Sequence, residues 1–462
     1  MRLVSVVRIA AVVAVAAASF AIGRAQVDRP LDQTAFAVPE RDVTPPGDGR
    51  WRPSDAIESL PHIGAAGFDR ERLWSGYDDW EPIVAADPSS AYVYQLTTRL
   101  GGPPACPTCA KNAIVFRRSR DGGATWERDR FLLPSSIDEY DPQIRVARDG
   151  TVFAAFLQSY RPGVTFVRSP DRGATWSTPI AFTQPHTALA WNDRPSLAIS
   201  PTGRDVYIAF NHSESWIVAS HDGGRTFGTP VQTSHDRRYY FHSAGAVAPD
   251  GSVTFAAQAY AQTYRGDVIV DAIHSSDGGA TWQTVRVDVG REPPGCRGVP
   301  GCYLGFLGPE AGLASDARGM LLMAYNINER PRGSQRLFVR TSTDGVTWSA
   351  RAEISGAGAR VNKTFPAVAA GSGAGDFRVV WMDDRTGAWD TWYRRFANGS
   401  WTAPVRLSNR HAGAPYQSPL GFAFPYGDYL GVTVDARGQT HAIWGAGPNY
   451  NGPGGTWYTR GR

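Results

Sequence analysis

Short apolar runs recur along most of the chain, each leading through a turn into a second β-rich stretch. They read Pro82-Ile-Val-Ala, Pro142-Gln-Ile-Arg-Val, Pro195-Ser-Leu-Ala-Ile, Ser243-Ala-Gly-Ala-Val, Ala311-Gly-Leu-Ala, Pro366-Ala-Val-Ala and Leu430-Gly-Val-Thr-Val, seven in all. Apolar runs this short, bounded by turn residues, predict strands and not helices.

A second pattern follows these strands. Ser119-Arg-Asp121-Gly-Gly123-Ala-Thr125-Trp126 is repeated as Ser169…Asp171…Gly173…Trp176, Ser220…Asp222…Gly224…Phe227 and Ser275…Asp277…Gly279…Trp282, with a shortened copy at Ser342-Thr343-Asp344-Gly345-Val346-Thr347-Trp348. From Asp121 to Asp344 the steps are 50, 51, 55 and 67 residues, the spacing expected of propeller blades. A worn sixth copy, Asn398-Gly399-Ser400-Trp401, follows 54 residues on. The phrase has the chemistry of a hairpin tip: Asp accepts local N–H and hydroxyl bonds, Gly takes a backbone conformation closed to other residues, and the aromatic ring covers the turn. Because it recurs from blade to blade, a structural role is expected for Asp121, Asp171, Asp222, Asp277 and Asp344.

This phrase resembles the Asp box, or bacterial neuraminidase repeat, of the sialidase superfamily, over about residues 80–460. The resemblance implies a single all-β propeller whose boxes join the third and fourth strands of each blade, on the face away from the functional one. Seven strand repeats favour seven blades, with a six-bladed sialidase-like ring as the alternative. The last unit has strands near 429–435, 439–445 and 455–460 and no residues left for a fourth. A strand from before residue 80 would complete it and remove the exposed edges.

Composition agrees: 50 Gly, 33 Pro and 15 Trp in 462 residues suit many short strands joined by tight turns. Residues 1–25 read as a signal peptide, with early arginines, an apolar stretch from Ile9 to Ile22 and small residues at the end. Residues 26–75 read as a Pro-rich tether with room for the closing strand, and 76–462 as the propeller. The expected product is therefore secreted or periplasmic, without stable membrane insertion. Removing Arg2, Arg8 and Arg24 lowers the formal charge from +4 to +1, which points away from nucleic acid. Cys106, Cys109, Cys296 and Cys302 are expected as two local disulfides, a shared zinc site being the alternative reading. No cofactor or metal is called for.

Aligning the seven inner strands puts Glu81, Asp141, Arg194, His242, Glu310, Phe365 and Tyr429 at one end of the ring, where a channel mouth is expected. Concave rings of mixed charge commonly bind a ligand. Loops on the same face add Arg330, Asp383, Asp384, Arg385 and Trp389, a set suited to a sugar or carboxylated ligand. The sialidase resemblance implies arginine clamps, among them Arg330 and Arg385, a Tyr429 nucleophile raised by Glu310, and Asp141 as the acid. The sequence departs from that pattern where an Arg-Ile-Pro phrase should stand, for it reads Trp80-Glu81-Pro82-Ile83. Three readings stay open: a sialidase-like glycoside hydrolase, a non-catalytic propeller binding a glycan, glycoprotein, peptide or protein partner, and another hydrolase or lyase using Asp141, His242 and Glu310.

Overall fold

The computed structural model describes residues 65–462 apart from 75–76, 78, 102–105, 159–162, 183–193, 213, 262–265, 294–309, 388, 409–416, 419–420, 423–429 and 447–454. The described residues form strands and turns without a helix. Seven small antiparallel sheets make seven blades. Their innermost strands are Asp79–Ala86, Glu139–Val146, Ser196–Ile199, Arg238–Val247, Ala311–Ser315, Lys363–Ala370 and Gly431–Val434. Each innermost strand touches the next, and the last touches the first, so the sheets close a ring. The seven-strand expectation is met.

Within each of the first six blades the chain meanders outward, and the seventh closes differently. Its strands Gly431–Val434, Thr440–Ala446 and Gly455–Gly461 are completed by Arg72–Leu73 from the opposite end of the chain. Arg72 pairs with Tyr458 and Leu73 with Trp457, and the Asp69 and Trp74 amides donate to the Arg460 and Thr456 carbonyls. The closing strand is the one whose absence the last repeat signalled. A small hairpin, Gln417–Ser418 with Gly421–Phe422, lies between the sixth and seventh blades in sequence.

Apolar side chains fill the seams between blades. Leu96, Phe116, Ile144, Phe156 and Val167 form one cluster between blades 1 and 2, and Phe153, Phe166, Ile208, Phe210 and Val218 another between blades 2 and 3. Near the axis the inner strands approach closely enough to need glycine. A Cβ at Gly312 would lie 2.8 Å from the Pro366 carbonyl oxygen of the next blade, and one at Gly431 would lie 2.9 Å from the Val84 nitrogen.

The five Ser-x-Asp corners share one set of bonds. In the first, the Ser119 hydroxyl donates to Asp121 Oδ1 at 2.8 Å and accepts from the Gly123 amide at 2.8 Å, while the Thr125 hydroxyl donates to Asp121 Oδ2 at 2.6 Å. The same contacts recur around Asp171, Asp222 and Asp277, and a shortened version around Asp344. Each corner leans on the preceding blade. A Cβ at Gly123 would lie 1.9 Å from Tyr458 Oη, at Gly173 2.5 Å from the Phe116 ring, at Gly224 2.6 Å from Phe166, and at Gly345 2.1 Å from His274 Nδ1. The glycine therefore serves two ends: a positive φ and a seat for a neighbouring ring. The worn sixth copy turns instead through Asn398 and Gly399, both at positive φ, in a two-residue hairpin joining Ala397 to Ser400.

Candidate functional site

At the other end of the blades the repeat becomes irregular. Glu81, Asp141, Arg194 and Phe365 have φ of 56°, 54°, 40° and 53°, in the left-handed region, and each stands just before a proline. A residue before proline is normally extended, and left-handed backbone costs a side-chain-bearing residue about 1–3 kcal/mol. Three of the four occupy a bulge: ladder pairing skips from Trp80 to Ile83, from Tyr140 to Gln143 and from Thr364 to Ala367. A bulge re-aims a side chain out of the sheet alternation. Here it does so at equivalent places around the ring.

The re-aimed groups meet across blades. Glu81 Oε2 accepts the Asp141 amide at 2.9 Å and the Thr98 hydroxyl at 2.7 Å, joining blade 1 to blade 2. Arg194 Nη1 of blade 3 donates to both Glu310 oxygens of blade 5, at 2.8 and 2.7 Å. Blade 4 lies between these two, and its Ser243 hydroxyl donates to Glu310 Oε2 at 3.3 Å. An ion pair spanning non-neighbouring blades requires both side chains to reach over the inner end of blade 4. Glu310 is anchored beneath by its amide, which donates to Asn326 Oδ1 at 3.0 Å.

Blade 4 departs from the others. Its inner strand lacks the proline, as do those of blades 5 and 7, but here the ladder runs on through His242 opposite Ala257, and the irregularity falls between His242 and Ala244. His242 is consequently 1% exposed, with Nε2 3.0 Å from the Ser215 hydroxyl and its ring edge-on to Phe255. Burial drives its imidazole down to about 3, so it is neutral across the ordinary pH range. Ser243, not His242, faces the Glu310 carboxylate. Phe365 is also buried, packed with Trp389 and Leu430 in the seam between blades 6 and 7.

The expected arginine clamps have other engagements. Arg385 donates from Nε to Asp383 Oδ1 at 2.8 Å and from Nη2 to the Ser355 carbonyl at 2.9 Å, with its guanidinium 3.7 Å over the Trp392 ring. Asp384 accepts the Asn362 amide at 2.8 Å and its side-chain nitrogen at 3.0 Å. Asp383-Asp384-Arg385 thus ties down a turn of blade 6. Arg330 is exposed, in a turn where its carbonyl accepts from the Asn328 side chain at 2.7 Å. Tyr429, Cys296 and Cys302 lie outside the described residues.

Two residues that the sequence did not single out border Glu81 and Asp141. Glu139 is fully buried, accepts the Ile114 amide at 3.0 Å, and is pushed up to about 7 by that burial. Burial, with the Asp138 and Glu81 carboxylates nearby, pushes the Tyr140 phenol up to about 12, and its oxygen accepts from Asn112 Nδ2 at 2.9 Å. Their place immediately before Asp141 was the available signal. The Cys106–Cys109 disulfide is present on the adjoining loop. Among the described residues no His, Cys, Asp and Glu group is arranged to hold a metal ion.

No family model matches the chain, and no curated protein does either. Among solved structures it is similar to the Hadza microbial sialidase Hz136, at 14% identity over 78% of this chain and 74% of that one, TM-score 0.46. It is similar also to the NanB sialidase from Streptococcus pneumoniae, at 12% identity over 89% and 72%, TM-score 0.46. A third likeness is to Trypanosoma rangeli sialidase, at 16% identity over 74% of this chain, TM-score 0.42; the match spans 56% of that protein's length.

Proposed function

We propose that the protein is an exported glycan-binding propeller that takes sugar hydroxyls at the channel mouth through Glu81, Asp141 and the Arg194–Glu310 pair. The observation that carries this reading is the left-handed backbone repeated at Glu81, Asp141 and Arg194, with a bulge at the first two. Strain held at equivalent points of a ring, on residues of different chemistry, suits a site more than a scaffold. Carboxylates accept from sugar hydroxyls, and a fixed guanidinium donates to them.

A clamp for a carboxylated sugar has less support. Arg194 is engaged by Glu310 and Arg385 by Asp383, so either would have to exchange a partner before gripping a substrate carboxylate. If the site is also hydrolytic, Glu81 and Asp141 on neighbouring blades are the carboxyl pair we assign to acid and base, the common requirement of glycoside hydrolysis. The Ser-x-Asp corners, read as Asp boxes, then belong to the scaffold.

The test combines a glycan array with a panel of fluorogenic glycosides that includes a sialoside. We expect retention on neutral or amino-sugar glycans, weakened at least tenfold by Asp141→Asn and by Glu81→Gln. Binding unaffected by both substitutions would remove the channel mouth from the reading. Efficient sialoside turnover would restore the clamp in its place.

A further inference from the structure

We infer that the Cys106–Cys109 disulfide is a redox-addressable clasp that holds the Glu139–Asp141 segment in place, so that thiol reduction loosens one side of the channel mouth. The inference rests on the proposed site and concerns its control. Its first observation is connectivity. Between the second and third strands of blade 1, the segment from Cys106 to Asn112 is bonded to the approach to Asp141, and its Asn112 Oδ1 also accepts the Gly101 amide at 3.1 Å. The Ala110 amide donates to the Ser135 carbonyl at 2.9 Å, the Asn112 amide to Asp138 Oδ1 at 3.2 Å, and the Asn112 side chain to Tyr140 Oη at 2.9 Å. In return the Glu139 amide donates to the Asn112 carbonyl at 3.1 Å.

The next link is short. Glu139 and Tyr140 lead directly into Asp141, whose amide is held by Glu81 at 2.9 Å. Asn112 therefore acts as a positioning residue, bridging the disulfide turn to the carboxylates.

The second observation is access. Cys106 and Cys109 are half-buried, the two residues between them are exposed, and the pair closes a turn in which the Cys109 amide donates to the Cys106 carbonyl at 3.0 Å. An attacking thiolate can reach sulfur in such a turn, whereas a disulfide sealed in a core is sheltered. The chemistry needs a low-molecular-weight thiol as reductant. Its thiolate attacks one sulfur, the S–S bond breaks, and the other cysteine leaves as thiolate. A second thiol then resolves the mixed disulfide. Two cysteine thiols and one oxidised small-molecule disulfide result, so the two electrons gained by the protein are those lost by the reductant.

The sequence supplies a clean reporter. Lys111 and Lys363 are its only lysines; Lys111 is exposed within the clasp, and Lys363 is fully buried. A lysine-specific endoprotease applied to the full folded chain therefore reads local release at Lys111 and global opening at Lys363. Glutathione treatment should speed Lys111 cleavage at least tenfold with Lys363 uncut. Cys106→Ser/Cys109→Ser should do the same without reductant, which separates this pair from Cys296 and Cys302. Asn112→Ala, with the disulfide intact, should speed amide exchange at Glu139 and Asp141 severalfold.

Lys111 cleavage that stays within twofold in both the reduced protein and the double variant would overturn the proposal. So would cleavage that rises only together with Lys363, or amide exchange at Glu139 and Asp141 that ignores Asn112. None of these readouts involves a glycan, so their failure leaves the binding reading standing. Loss of glycan binding with the clasp result intact would do the reverse.

Discussion

The two ends of the blades are built by opposite rules. At the corner end, five loops repeat the same serine, aspartate and glycine contacts, with Gly N–H to Ser Oγ distances between 2.7 and 2.9 Å. At the channel end, the aligned positions carry Glu81, Asp141, Arg194, His242, Glu310 and Phe365, five residue types, with positive φ at four of the six and partners that differ at each. Uniformity follows from one mechanical task done five times. Diversity is what remains when the scaffold no longer dictates the side chain. On the proposed reading, the ring separates stability from recognition along its own axis.

The largest effect is expected at a corner. Gly123→Ala would place a methyl group 1.9 Å from Tyr458 Oη on a residue with φ of 78°. Left-handed backbone costs an alanine about 1–2 kcal/mol. Overpacking adds about 1–3 kcal/mol. A loss of roughly 4 kcal/mol in urea unfolding is expected, because Tyr458 belongs to the strand that pairs with Arg72–Leu73 and closes the ring. A loss below about 1 kcal/mol would mean that the corner does not bear on the blade seam.

At the channel end the expected loss is smaller and of another kind. Arg194→Met leaves the Glu310 carboxylate, whose side chain is 14% exposed, without the cation that both its oxygens contact. Breaking a buried pair from one side costs about 3 kcal/mol, and removing both charges costs less. Arg194→Met/Glu310→Gln should therefore recover part of the stability lost by Arg194→Met alone. A double variant less stable than the single one, in the same urea titration, would show that the pair is not coupled as described. Glycan retention should fall in both variants, since the ion pair belongs to the proposed site.

How far each end was legible follows from the same contrast. The corners were readable because a repeated task leaves a repeated phrase, and seven apolar strands were countable for the same reason. Even the closing strand announced itself, as a deficit after Gly455–Gly461. Alignment of the strands also brought Glu81 and Asp141 to neighbouring positions. It could not foresee that the residue before each proline turns left-handed, since sterics ordinarily push that residue to extended backbone. Nor could it place His242, because whether the ladder runs through a residue or bulges around it depends on pairing partners elsewhere in the sheet. The Arg194–Glu310 pair was hidden for a third reason. It joins blades that are not neighbours, and only the curvature of the closed ring brings them together.

The smallest effect isolates what a single corner carboxylate contributes. Asp171 is exposed, and against a slight burial cost the Thr175 hydroxyl and amide, the Ser169 hydroxyl and the Ala174 amide hold its carboxyl down at about 2, from an ordinary 3.8. A lowered acid favours the folded state above its unfolded pKa, and that share is lost as pH falls through the folded value. Asp171→Asn removes the charge and turns the oxygen facing the Thr175 hydroxyl into an NH2 group, while the other oxygen still accepts from the Ser169 hydroxyl and the Thr175 amide. Solvent screening and the small net worth of such bonds limit the expected loss at pH 7 to about 1 kcal/mol or less. The gap between wild type and variant should shrink between pH 4 and pH 2, where the wild-type carboxyl begins to take up its proton. A gap that persisted undiminished at pH 2 would assign the corner's stability to shape alone. The aspartate would then be retained for its turn geometry, and the charge would be incidental to the end of the molecule where chemistry is most uniform.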